Sequence, residues 1–152
     1  SHSSKPKIST VSLMAPTLTL EAYQAMYRPK ISKIDDMTVY NLSENLELED
    51  NVTGAYSKSI MHLIAKVLED NCTDNSAATL LGLSRDVAAL DAEDIEDVDF
   101  VVSQGDAQRN KNSTSRRHDD FERDPATMNH ILRRILGQRP SIRFRTDHFG
   151  SL

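Results

Sequence analysis

Among the side chains able to do chemistry near neutral pH, His118 has the most informative surroundings. It opens His118-Asp119-Asp120-Phe121, inside a long hydrophilic stretch that follows Val98-Asp99-Phe100-Val101-Val102. A well-marked helix comes next, over Pro125 to Leu136. Enzymes use this succession of strand, polar loop and capped helix to present an imidazole, because useful side chains in α/β folds sit beyond the carboxyl ends of strands. An imidazole there titrates in the range a general base needs. The competing interpretation is a solvated loop histidine. The remaining imidazoles say less. His62 and His130 fall inside predicted helices as surface or core-edge residues, and His2 and His148 are terminal. No pair of them has metal-ligand spacing, so neither a metal nor a cofactor is expected. Five scattered glycines offer no phosphate-cradling loop. The one cysteine, Cys72, has no basic neighbour in sequence and reads as an idle thiol.

The elements that would position His118 alternate between strand and helix. Lys7 to Met14 is rich in β-branched residues and stops at Ala15-Pro16, a strand followed by a turn. Thr19 can cap a short helix carrying Leu20, Tyr23, Met26 and Tyr27 on one face, ended by Pro29. Met37 to Leu42 is the second strand, running into a polar, acidic loop over Ser43 to Asn51. Tyr56, Ile60, Leu63, Ile64, Val67 and Leu68 make the stripe of a second helix through about residue 69. Asn75 to Leu90 is ambiguous: Leu80-Leu81-Gly82-Leu83 reads as a turn over the sheet, with a helical turn near Arg85 to Leu90. Val98 to Val102 is the third strand. Asp124 as N-cap, Pro125 at the first helical position, apolar Met128, Ile131, Leu132, Ile135 and Leu136, then Gly137 and Pro140 define the last helix. Ile142 to Arg145 alternates and suggests a small terminal strand. Strand and helix repeated three times predict an α/β protein with a small, mostly parallel sheet of three or four strands. It reads as part of a larger sheet.

Composition sets the bounds. The 152 residues, 38% hydrophobic and 27% charged, suit one domain: a tag remnant or frayed terminus over 1–7, then a single unit over 8–152. No apolar run is long enough for a bilayer and no signal-peptide pattern is present, so a cytoplasmic protein without membrane contact is expected. Residues 1–99 hold 8 Lys and Arg against 17 Asp and Glu, a net of −9, whereas 100–152 hold 10 against 6, a net of +4. The basic part lacks interleaved aromatics and a nucleic-acid motif, and the whole chain is net −5. Solvated faces that partly complement each other are the better interpretation, and nucleic acid is not an expected partner.

Several short stretches carry a resemblance: Met14-Ala15-Pro16, Val39-Tyr40-Asn41-Leu42-Ser43-Glu44, Asp50-Asn51-Val52 with Tyr56-Ser57-Lys58-Ser59, Leu81-Gly82-Leu83, and His118-Asp119-Asp120-Phe121 with Asp124-Pro125-Ala126-Thr127-Met128. Together they resemble the C-terminal part of microbial α/β-hydrolase-like proteins, over most of residues 8–137, and the order of elements is similar too. The resemblance implies that His118 is the triad base and Glu44, at the end of the second strand, its acid, with Asp50 as the fallback acid. It also implies an N-terminal half of the sheet beyond this segment, so that the missing half or another protein chain covers the sheet edge.

The departure from that family is the nucleophile. A nucleophile elbow needs Gly-x-Ser-x-Gly between strand and helix. Gly54-Ala55-Tyr56-Ser57-Lys58 has the wrong spacing, and Gly82-Leu83-Ser84-Arg85-Asp86 has Asp86 in place of the second glycine. Two functions stay open. One is the part of a serine hydrolase that supplies acid and base and is inactive alone. The other is a non-catalytic interaction module on the same scaffold.

Overall fold

A computed structural model describes residues 6–50, 60–69, 78–90 and 97–150. Three parallel strands form one sheet in the order β1 (Val11–Met14), β2 (Met37–Leu42), β3 (Asp99–Ser103). The class is α/β, as expected. Val11 pairs with Met37 and Val39 with Phe100, which fixes both registers. Strand β2 is central and buried along its whole length, so it reads as a near-continuous run and not as an alternating one.

Alternation along β2 nevertheless sorts two cores. Met37 and Val39 face a cluster with Leu20, Tyr23, Leu81, Val87 and Val98. Tyr40 and Leu42 face the opposite way, into a cluster with Leu46, Val101 and Phe121. Helix α1 (Leu20–Met26) lies on the first side, and Thr19 caps it by accepting from the Ala22 N–H. Pro29 does not simply end it: the chain continues into a 3-10 turn over Arg28–Lys33, where a proline is tolerated near the start.

Helix α2 (Glu44–Glu49) occupies part of the expected acidic loop. Ser43 takes the N-cap position, Glu44 and Glu47 lie near the positive end of the helix dipole, and Leu46 anchors the turn in the core. Helix α3 (Ile60–Glu69) follows; the expected start of its stripe at Tyr56 lies outside the described residues. Met61 and Ala65 pack with Leu80 and Leu83. The 80–83 segment then crosses beside β2: Leu83 bridges Leu42, and the Asn41 amide donates to the Leu81 carbonyl. Gly82 permits that crossing, since a Cβ would stand 2.4 Å from the Pro16 carbonyl oxygen. A short helix, α4 (Ser84–Val87), completes the connection.

Helix α5 (Pro125–Leu136) has the predicted cap and stop. Asp124 accepts from the Ala126 and Thr127 N–H groups, and Gly137 ends the helix in the left-handed conformation at φ 65°. At its far end Arg134 is bound to Asp36 and Asp99, which precede or begin β2 and β3. Helix α5 therefore runs back along the sheet, antiparallel to the strands. Beyond it, Ile142–Arg145 is not the expected strand. Asn129 holds this stretch instead, donating to the Phe144 carbonyl and accepting from its N–H, both at 2.8 Å, so no partner strand is needed. A 3-10 turn over Thr146–Phe149 follows. No helix among the described residues is long and apolar enough to cross a membrane.

Candidate active site

His118 sits on the long connection from β3 to α5, and hydrogen bonds fix that connection on both sides of it. Upstream, the Ser103 hydroxyl donates to the carbonyls of Ser113 and Ser115, and the Asn110 amide donates to the Val102 carbonyl. Thr114 gives both its N–H and its hydroxyl to the Asp124 carboxylate, while the Thr127 hydroxyl donates to the same group at 2.6 Å. Burial alone would push the Asp124 carboxyl up, but the Thr114 and Thr127 donors hold it below its ordinary value. Downstream, Phe121 is 1% exposed and plugs the core between Tyr40, Leu42 and Leu46. An imidazole between two such anchors is pre-positioned.

The opposing groups come from α2. Glu47 and Asp50 are three residues apart, so both carboxylates lie on one side of the helix and its cap. Oδ2 of Asp50 accepts twice from the same residue, from His118 Nδ1 at 2.7 Å and from the His118 backbone N–H at 3.1 Å. On the other side of the ring, Nε2 lies 3.2 Å from Oε1 of Glu47, an ion pair when the imidazole is protonated. The Glu47 side chain is 2% exposed, and those of His118 and Asp50 are 13% and 12% exposed. Burial would depress the His118 pKa; Glu47 and then Asp50 more than offset this and hold it above the ordinary imidazole value. Exposed Arg117 stands 3.4 Å from the other Asp50 oxygen.

Of the residues singled out from sequence, His118 and Asp50 are brought together and Glu44 is not. Glu44 is exposed on the first turn of α2. Because the expected loop is a helix, Glu44 is set back one turn from Glu47 and two from Asp50, and the carboxylate at Nδ1 is Asp50. Glu47 was missed. Its signal was the spacing of three to Asp50, which means nothing until the stretch is recognised as helical. Ser84 opens α4 on a different connection, and among the described residues no hydrogen bond of His118 reaches it. Ser57 and Cys72 lie outside the described residues.

His130 departs from the core-edge expectation. It is buried, and its Nδ1 lies 2.7 Å from the Tyr40 hydroxyl. Burial, then Arg133 and Arg134, push its pKa down to about 4, while burial raises that of Tyr40. The pair is therefore neutral, joined by one hydrogen bond whose donor is set by the His130 tautomer. Among the described residues no three His, Cys, Asp or Glu side chains converge as a metal site.

No protein-family model, curated protein or solved structure matches this chain.

Proposed function

We propose that Asp50 and His118 form the acid–base half of a serine-hydrolase-type site for acyl hydrolysis. The observation that carries this reading is the pair of hydrogen bonds that Asp50 accepts from His118, on the connections that follow two adjacent parallel strands. A carboxylate on Nδ1 fixes the tautomer that leaves the Nε2 lone pair to take the proton of an attacking hydroxyl, and it stabilises the imidazolium formed in the reaction. In this reading the segment resembles the C-terminal part of an α/β-hydrolase, with Asp50 as the acid in place of Glu44. The nucleophile comes from a strand–Gly-x-Ser-x-Gly–helix unit outside these residues, on a segment that covers the outer edge of β1. Glu47 beside Nε2 keeps the isolated segment from acting as a base, so an incoming hydroxyl must displace that contact.

The same Glu47 contact favours a second reading. An imidazolium held between two carboxylates is also a clamp that pins the 104–124 loop to α2, as a non-catalytic interaction module would use it. An assay with an activated ester and a fluorophosphonate probe separates the two. The hydrolase reading predicts neither turnover nor labelling of the 152-residue chain. It predicts turnover when the upstream coding sequence is included, abolished by His118→Ala and strongly reduced by Asp50→Asn. Labelling at Ser84 or Ser57, turnover that survives His118→Ala, or an upstream sequence without an elbow would overturn it.

A further inference from the structure

A second site lies along the flank of α5, lined in part by the connection that carries His118 but by none of His118, Glu47 and Asp50, and it does not depend on the hydrolase reading. Gly137 and Pro140 turn the chain back after α5, and the two Asn129 bonds to Phe144 fix the returning segment against the helix. Between this segment, α5 and the 111–112 turn is an open cavity of about 390 Å³. Lys111, Arg133, Arg139 and Arg143 all line it, together with Asn112 and His130, and among the described residues no Asp or Glu does.

These four cations differ from others in the same half of the chain. Arg109 lies near Asp106, Arg134 is bound to Asp36 and Asp99, and Arg145 stands near Asp147. Among the described residues Lys111, Arg133, Arg139 and Arg143 form no ion pair. Four like charges around one cavity, in a chain of net −5, create a focused positive field that a bound anion would relieve. The Tyr40 hydroxyl engages His130 Nδ1, which leaves Nε2 as the other polar atom of a neutral ring that lines the cavity. Three guanidinium forks and an ammonium match the oxygens of a dianionic phosphate. The volume exceeds that of a phosphate alone and leaves room for the small group that carries it.

We propose that this cavity binds a small phosphate monoester, with Arg133, Arg139, Arg143 and Lys111 taking the phosphate oxygens.

The test is a titration of the 152-residue chain, followed by nitrogen-15 NMR, with inorganic phosphate, glycerol 3-phosphate, a mononucleotide and a ten-nucleotide single strand. Arg139→Gln and Arg143→Gln serve as variants, because both side chains are exposed and their loss leaves the core intact. The proposal predicts saturable shifts at Asn112, Asn129 and His130 with glycerol 3-phosphate. Binding should weaken about tenfold or more in each variant, as expected for losing a charge-assisted bond, with the folded spectrum retained. A preference for glycerol 3-phosphate over inorganic phosphate supports an ester, and a further preference for the mononucleotide assigns the carrier group. No saturable shift with any small phosphate, or equal affinity in both variants, overturns the proposal. Binding of the single strand alone overturns it too, in favour of nucleic acid.

Discussion

One carboxylate oxygen of Asp50 holds His118 at two points, the ring Nδ1 and the backbone N–H, across 68 residues of sequence. Loop and imidazole orientation are thereby set by the same atom. The second carboxylate, Glu47, acts on the opposite nitrogen. Glu47→Gln should lower the His118 pKa, because the first of the two compensating charges is gone while burial persists. Asp50→Asn should lower it as well and also loosen the loop, whereas Glu44→Gln should leave it unchanged. Proton NMR titration of the His118 ring checks all three.

The two buried imidazoles should give opposite slopes of stability with pH. The folded pKa of His118 is raised, so its contribution is complete below the ordinary unfolded value of about 6.5 and is lost as pH rises through the folded pKa. The folded pKa of His130 is lowered to about 4, so its unfolded state takes up a proton first and stability falls as pH drops from about 6.5 toward 4. Urea midpoints between pH 4 and 9 should therefore fall toward both ends. His118→Ala should flatten the alkaline side and His130→Gln the acidic side.

Asp124 is both the N-cap of α5 and the acceptor for Thr114 and Thr127. Asp124→Ala removes the cap and leaves two half-buried or buried hydroxyls seeking partners. The expected loss is roughly 2–4 kcal/mol. Chemical denaturation measures it, and Asp124→Asn should recover part of the loss because an amide oxygen still caps.

Gly82→Ala tests the crossing over Ala15 and Pro16. The added methyl would meet the Pro16 carbonyl at 2.4 Å and Met61 at 2.5 Å, and only the Met61 end is free to yield. A loss of about 1–3 kcal/mol is expected, as for other overpacked sites. Denaturation of this variant against wild type reads it directly.

How much of this was legible depended on whether the signal was local. Asp124-Pro125 and Gly137 carry their conformations in their own chemistry, and α5 has the predicted bounds. Met37 to Leu42 was equally plain, being short, β-rich and flanked by polar residues. Ser43 to Asn51 misled because its acidic residues suggested a solvated loop, while only Leu46 and a serine at the N-cap position argued for a turn of helix. Reading a loop there put Glu44 and not Asp50 opposite His118, and hid Glu47. Ile142 to Arg145 misled for another reason: its alternation is real, but a tertiary clamp from Asn129 decides its conformation. The Tyr40–His130 pair, 90 residues apart, had no local signal at all.

The claim that His118 is an oriented base is tested most directly by the nitrogen-15 shifts of its two ring nitrogens across pH, in wild type and in Asp50→Asn. Nδ1 should keep its proton throughout, and Nε2 alone should titrate, above the ordinary imidazole pKa of about 6.5. Asp50→Asn should lower that value and let the proton distribute over both nitrogens. A His118 ring that titrates at the ordinary value, with mixed tautomers and no response to Asp50→Asn, would show that Asp50 does not orient it.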